Sequence, residues 1–201
     1  MSEPHAGTTL VLGLGNPILG DDGVGWRVVE EIEALLAARA AGAGGERSRG
    51  ADRVEVDRLS LGGLRLMERL IGYERAIIVD AIATGDGPPG TVRCLRLDDL
   101  PDRGRDRLAS AHDSSLGAAL VLGRALGARL PGQPWIVAVE ADLDVEVTDQ
   151  LSPAVAEAVP RAAAEVLRLL GVEASGGCAI DGVETDELDP GTSREVAIAE
   201  R

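Results

Sequence analysis

The sequence contains no lysine, because all 20 of its basic residues are arginines. A phosphate-binding Walker loop and a Schiff-base enzyme both need a lysine, so both are excluded. Acidic residues outnumber the arginines by 34 to 20, which gives a formal net charge of −14 at pH 7. Since that charge repels nucleic-acid phosphates and anionic lipid headgroups, we expect neither a nucleic acid nor a membrane as a partner.

Aromatic residues make up only 1% of the chain, and phenylalanine is absent. Apolar residues still account for 45% of the 201 residues, so the core must be built from aliphatic side chains. The two cysteines match no zinc or disulfide pattern, which favours a reducing compartment. The sequence shows no signal peptide and no apolar run long enough to span a bilayer. We therefore expect a cytoplasmic protein.

Strand-like and helix-like segments alternate along the chain. Runs of apolar residues predict strands at 9–14, 54–58, 76–81 and 135–140, with an added edge strand at 91–96. Apolar residues at helical spacing predict helices at 24–36, 64–71, 116–130 and 155–170. This alternation predicts an α/β fold, a three-layer sandwich in which helices flank a mostly parallel central sheet.

The composition divides the chain into three parts. Residues 1–8 are expected to be a flexible N-terminus, and residues 9–171 to form one domain. From residue 172 onward there are eight acidic residues against two arginines and no apolar periodicity, so 172–201 is predicted to be a disordered acidic tail. We expect the protein to be a monomer.

Three loops carry the candidate catalytic and metal-binding residues. Asp21 and Asp22 lie in the glycine-rich loop after the first strand, Asp80 ends the third strand, and His112 is the only histidine of the predicted domain. In an open parallel sheet, ligands bind beyond the carboxyl ends of the strands, so these loops should converge. Two carboxylates and one imidazole suit a divalent metal ion with open coordination positions.

Each of these residues also has a structural interpretation. Asp21 or Asp22 could cap a helix, and His112 could be an ordinary loop histidine. Asp80 is harder to explain in that way, because a carboxylate on a buried strand is costly unless it is paired or bound. The glycine-rich loop also suggests dinucleotide binding, but its G-x-G-N-P spacing and its two aspartates oppose a phosphate at that helix N-terminus.

Three segments together resemble the hydrogenase maturation proteases: VLGLGNPILGDDGVG (11–25), AIIVDAI (76–82) and SAHDSSLG (110–117). The resemblance covers most of residues 9–170 and implies a phosphorylase/hydrolase-like sandwich. It also implies an endopeptidase that removes the C-terminal extension of a nickel-containing hydrogenase large-subunit precursor after nickel insertion. The implied partner is that precursor, the nickel is carried by the substrate, and no organic cofactor is expected.

The resemblance maps the family's metal-binding positions onto Asp22, Asp80 and His112, which are also the predicted catalytic residues. The best-known members have glutamate at the first position, which leaves open whether Asp21 shares the metal-binding role of Asp22. Asp21 is also a candidate substrate-binding residue. Gly63, in the loop DRLSLGGL (57–64), is expected to help shape the substrate cleft.

No serine, cysteine or threonine nucleophile with a paired base is evident. We therefore favour an aspartyl endopeptidase-like attack by a water that is polarised by the metal or activated by a carboxylate. The alternative from another class is a noncatalytic, metal-dependent checkpoint or chaperone that binds the same precursor.

Overall fold

The computed structural model describes residues 5–42, 53–60, 63–96, 116–142 and 147–172. The strands are β1 (His5–Leu14), β2 (Arg53–Leu59), β3 (Tyr73–Ile82), β4 (Val92–Arg96) and β5 (Trp135–Glu140). The helices are α1 (Val24–Gly42), α2 (Gly63–Leu70), α3 (Leu116–Ala125) and α4 (Pro153–Leu169). A short 3-10 turn, Gly20–Gly23, leads directly into α1.

The strands form a five-stranded sheet in the order β2-β1-β3-β5-β4. β1 pairs in parallel with β2 and β3, and β3 pairs in parallel with β5. Among the described strands, only β4, at the edge, is antiparallel to its neighbour, β5. The mostly parallel sheet and the added edge strand are therefore as predicted.

In the part of the chain that the structure describes, two helices cover each face of the sheet, so the predicted three-layer sandwich is confirmed. One apolar cluster joins α1 and α4 to the strand residues Val11, Ile77, Val79, Val137 and Val139. The other joins α2 and α3 to the alternate strand residues Leu10, Leu12, Ile78, Ile82, Ile136 and Ala138. Because side chains alternate between faces along a strand, the odd-numbered strand residues named here face α1 and α4, and the even-numbered ones face α2 and α3. The parity of a residue, odd or even, therefore indicates its face.

The topology creates a crevice between the carboxyl ends of β1 and β3. The chain leaving β1 passes through α1 to β2 on one side, whereas the chain leaving β3 passes to β4 at the opposite edge. Connections that diverge in this way leave an opening at the carboxyl ends of the two strands, where open α/β sheets bind ligands.

Some boundaries differ from the predicted ones. β1 begins at His5 rather than residue 9, and the His5 ring stacks on Tyr73 with the ring centroids 4.2 Å apart. His5 and its neighbours thus pair in the sheet, whereas the composition predicts that they belong to the N-terminal segment. At the other end, Val172 packs against the core, one residue beyond the predicted boundary. The rest of the predicted tail, 173–201, lies outside the described residues.

Helix α3 ends at Ala125, five residues earlier than the apolar spacing predicts. Gly127 adopts a left-handed conformation with φ 78° and donates a hydrogen bond to Arg124 O, while Ala128 N bonds to Gly123 O. This pair of bonds closes the helix through a left-handed glycine. Among the described residues, no helix is both long and apolar enough to cross a membrane.

Candidate active site

Close backbone packing brings the start of α1 to the crevice. A Cβ atom at Gly25 would lie 2.3 Å from Leu14 O and 2.5 Å from Val79 O, and one at Gly13 would lie 2.3 Å from Gly25 O. Only glycine fits where the helix backbone approaches the ends of β1 and β3 this closely. The 3-10 turn that carries Asp22 is thereby held at the mouth of the crevice.

Asp22 is oriented by the loop that precedes it. Its Oδ2 accepts a hydrogen bond from Asn16 N at 2.6 Å. Gly15 has φ 116°, and a Cβ atom there would lie 1.7 Å from the backbone O of Asp22, so the loop can close only with glycine at this position. Partial burial raises the pKa of the Asp22 carboxyl, although the Asn16 hydrogen bond opposes the shift.

Asp80 is the most deeply buried acid of the crevice, with 2% of its surface exposed. It shares the parity of Ile78 and Ile82, so its side chain faces the layer of α2 and α3. Ala81 N donates to its Oδ1 at 2.9 Å, whereas its buried Oδ2 has no hydrogen-bond partner among the described residues. Burial raises the pKa of Asp80 well above its ordinary value, and the negative charge of Asp22 raises it further.

The carboxyls of Asp22 and Asp80 therefore form an acidic pair without a compensating positive charge among the described residues. No described arginine contributes to the pKa of either group, and each is disfavoured as a free anion. Such a pair can keep a proton or accept a cation, and carboxylate oxygens are suitable ligands for a divalent ion. Within the described part of the chain, no cluster of three or more His, Cys, Asp or Glu side chains that could hold a metal ion occurs.

His112, the predicted third ligand, lies outside the described residues. The helix that follows it, α3, begins only four residues later, at Leu116. Beyond the other end of that helix, Arg129 O accepts a hydrogen bond from Gly72 N, immediately before the start of β3. The ten-residue helix spans about 15 Å, so its first residue lies toward the carboxyl ends of the strands, on the face to which Asp80 points.

Of the two predicted substrate-binding residues, Asp21 precedes Asp22 in the 3-10 turn, and Gly63 begins α2. Asp21 Oδ1 accepts a hydrogen bond from Ser152 N at 2.6 Å, which ties the 3-10 turn to the start of α4. This carboxylate therefore anchors a loop and does not cap its own helix. Gly63 is buried at the first residue of α2, with φ 60°, beyond the carboxyl end of β2.

Glu140 was not among the sequence candidates, although it is a buried acid at this edge. It ends β5 with 3% of its surface exposed, and its carboxylate accepts three hydrogen bonds from Thr84 and Gly85. The argument that a charged residue on a buried strand needs partners applies to the run WIVAVE as it does to AIIVDAI. Applied to both runs, it would have identified Glu140.

Comparisons with known proteins agree with one another. A family profile described as hydrogenase maturation protease matches residues 47–169. The chain is 30% identical to the hydrogenase 2 maturation protease of Escherichia coli (strain K12) over 168 residues, 82% of this chain and 93% of that protein. It is also 30% identical over 195 residues to the hydrogenase expression/formation protein HupD of Rhodobacter capsulatus, covering 92% and 82% of the two chains.

Comparison of the fold with solved structures finds the same group of proteins as the sequence comparisons. The solved structure of the hydrogenase maturating endopeptidase HybD from E. coli superposes with a TM-score of 0.59 at 30% sequence identity. The match covers 82% of this chain and 92% of that one.

Proposed function

Because this chain belongs to the hydrogenase maturation protease family, we propose that it removes the C-terminal extension of a nickel-containing hydrogenase large-subunit precursor once nickel is in place. The observation that carries the assignment of the site is the buried Oδ2 of Asp80, which lacks a hydrogen-bond partner among the described residues. An unsatisfied buried carboxylate oxygen is costly, and it persists where a ligand can satisfy it.

Nickel in the substrate is the ligand that fits this carboxyl pair. Burial and, to a smaller extent, the charge of Asp22 raise the pKa of Asp80, and a divalent cation bound by Asp22 and Asp80 would offset both effects. His112 would supply an imidazole, a suitable ligand for nickel, from the segment that precedes α3. Asp22, Asp80 and His112 would then recognise a precursor in which the metal has already been installed.

The nickel should arrive with the substrate, because this site is a weak trap for the free ion. Two carboxylates and one imidazole leave the coordination incomplete, whereas cysteine thiolates of the precursor bind nickel tightly. No organic cofactor is needed for the peptide hydrolysis.

Hydrolysis requires a water molecule to lose a proton as it attacks the peptide carbonyl. Raised pKa values make Asp22 and Asp80 better proton acceptors than ordinary carboxylates near neutral pH. We assign proton transfer from the water to one of them and its return to the leaving amine, which is an aspartyl endopeptidase-like reaction. Asp21 and Gly63 support this reaction as parts of the loops that border the cleft. The protein is expected to act as a cytoplasmic monomer.

The decisive experiment compares the same precursor with and without nickel. Each form is incubated with the protein, and the mass of the large subunit is measured before and after incubation. We expect loss of the C-terminal extension only from the nickel-loaded form. Equal cleavage of both forms would show that nickel is not recognised, and nickel-dependent binding without cleavage would instead establish the checkpoint or chaperone function.

A further inference from the structure

Glu140 lies on the same face and at the same edge of the sheet as Asp80. The register pairs Asp80 with Ala138 and Ile82 with Glu140, so Glu140 is two residues nearer the carboxyl end on the adjacent strand. Ala138 belongs to the apolar cluster under α2 and α3, and Glu140 shares its parity. With strands about 4.8 Å apart and residues rising about 3.3 Å each, the backbones of the two acids are roughly 8 Å apart.

The Glu140 carboxylate is fully engaged by the turn that follows β3. Oε1 accepts hydrogen bonds from Thr84 N and Gly85 N, and Oε2 accepts one from Thr84 Oγ1, each at 2.7 Å. Two backbone donors and a hydroxyl of one turn thus converge on one side chain. A carboxylate with three donors is held in a single orientation, and the turn is held with it.

This turn borders the proposed cleft. It begins directly after the strand that carries Asp80 and leads over the end of β5 to the edge strand β4. Arg93 of β4 supports it from outside, through a 3.5 Å hydrogen bond to Thr84 Oγ1 and an ion pair with Asp86. A Cβ atom built on Gly85 would meet nothing within 4 Å, so the outer side of the turn faces open space.

We propose that Glu140 is a positioning residue, which holds the Thr84–Gly85 turn as the β5-side wall of the cleft that binds the hydrogenase precursor. Glu140 itself does not contact the reacting atoms, since both of its oxygens are occupied by the turn. The inference rests on the proposed function, because it assumes that the precursor enters the crevice beside Asp80. Its signature is a change in precursor binding rather than in the chemical step.

The three hydrogen bonds from the Thr84–Gly85 turn to Glu140 are here called the clamp, and substitutions can separate the effect of this clamp from the effect of the Glu140 charge. In Glu140→Gln, the amide oxygen can take the place of Oε1 and accept both backbone N–H groups. The amide NH₂ can donate to Thr84 Oγ1 in place of the 3.5 Å bond from Arg93, since that oxygen also accepts from Asp86 N. This variant loses the charge and keeps the clamp, so we expect KM and kcat close to those of the wild type. Glu140→Ala loses all three bonds, and we expect KM to rise by about tenfold or more with kcat within about threefold.

A second pair of variants tests the same clamp with little risk to folding. Thr84→Ser retains the hydroxyl donor, whereas Thr84→Val has a similar shape and leaves Oε2 of Glu140 without that donor. We expect the serine variant to match the wild type and the valine variant to raise KM by roughly threefold to tenfold. Glu165→Ala is the matched control, because Glu165 pairs with Arg168 on the opposite helix layer and should leave KM unchanged.

Initial rates on nickel-loaded precursor give KM and kcat, and the Kd of the same precursor is measured for each variant. A raised KM and Kd in Thr84→Val and in any folded Glu140→Ala, with recovery in Glu140→Gln, supports the proposal. If Glu140→Ala fails to fold, Thr84→Val decides alone. Unchanged KM and Kd in Thr84→Val, or loss of activity in Glu140→Gln, would overturn it. Failure of the wild type to cut the precursor would refute the proposed protease function, while the Kd values would still test the clamp.

Discussion

Replacing Asp80 with asparagine should remove the activity and stabilise the protein. The amide oxygen introduced by Asp80→Asn can still accept the hydrogen bond from Ala81 N, so the side chain keeps its only anchor among the described residues. The change removes a buried negative charge beside Asp22 and also removes a carboxylate ligand for nickel. Function and stability should therefore move in opposite directions.

The magnitude follows from the environment of Oδ2. A buried polar group without its hydrogen bond costs about 1–3 kcal/mol, and more when it is charged. The amide NH₂ in Asp80→Asn still needs a partner, so only part of that cost is recovered. We expect a gain of about 1–2 kcal/mol in the free energy of unfolding at neutral pH, which corresponds to roughly 2–8 °C in Tm for a chain of this size.

The direction in which the free energy of unfolding changes with pH shows whether the buried charge of Asp80 is the cause of the difference in stability. The pKa of Asp80 is raised in the folded protein, so between its unfolded and folded pKa values the folded state binds more protons. Wild-type stability must therefore fall as pH rises through this interval. Asp80→Asn lacks this loss, so its advantage should be largest above the folded pKa and should vanish below about pH 4, where Asp80 is protonated in both states.

Chemical denaturation of both proteins from acidic to neutral pH measures this difference, and mass spectrometry of nickel-loaded precursor measures cleavage. Glu157→Gln, which removes an exposed carboxylate from α4, serves as the control and should change neither quantity. If Asp80→Asn is clearly less stable than the wild type at neutral pH, Asp80 is not a destabilising buried charge. If the variant cleaves at the wild-type rate, Asp80 is not part of the reaction.

Three further predictions test the loops around the pair. Gly15→Ala should abolish cleavage, because the added methyl would lie 1.7 Å from Asp22 O and displace the loop that orients this carboxylate; normal activity would show that the orientation of Asp22 is unimportant. His112→Ala should abolish cleavage while leaving the free energy of unfolding within about 1–2 kcal/mol of the wild type, and full activity would remove His112 from the site. Truncation after Val172 should leave Tm nearly unchanged, because residues 173–201 contain too little apolar sequence to offset the entropy of ordering; a fall of many degrees would show that the tail docks on the domain.

Much of the fold follows from local signals. The run AIIVDAI predicts a buried strand with one acid on it, and the structure places Asp80 there with the face given by its parity. The end of α3 was predicted wrongly because apolar spacing continues to Leu130, whereas the left-handed Gly127 closes the helix first. Apolar periodicity describes the face of a helix, but glycine conformation decides where the helix stops.

The contacts that orient the site were not predictable from local signals. Asp21 bonds to Ser152 across 131 residues of sequence, and this pairing depends on how the loop after β5 returns toward the loop after β1. Thr148 helps to fix that return, because its backbone N and O bond to Ile18 O and Gly20 N. Such long-range bonds are consequences of the assembled sheet, so the motif identifies Asp21 as a candidate without revealing that its carboxylate serves as an anchor.

Asp80 and Glu140 show why burial alone does not identify a ligand site. Both are buried acids at the carboxyl ends of adjacent strands, on one face of the sheet, but among the described residues Glu140 has three donors and Asp80 has one. The same chemical change, carboxylate to amide, is therefore predicted to have opposite effects on function: Glu140→Gln should cleave normally, whereas Asp80→Asn should not cleave. Equal loss of cleavage in both variants would mean that the total negative charge of this edge matters, and the unsatisfied oxygen of Asp80 would then have no special role.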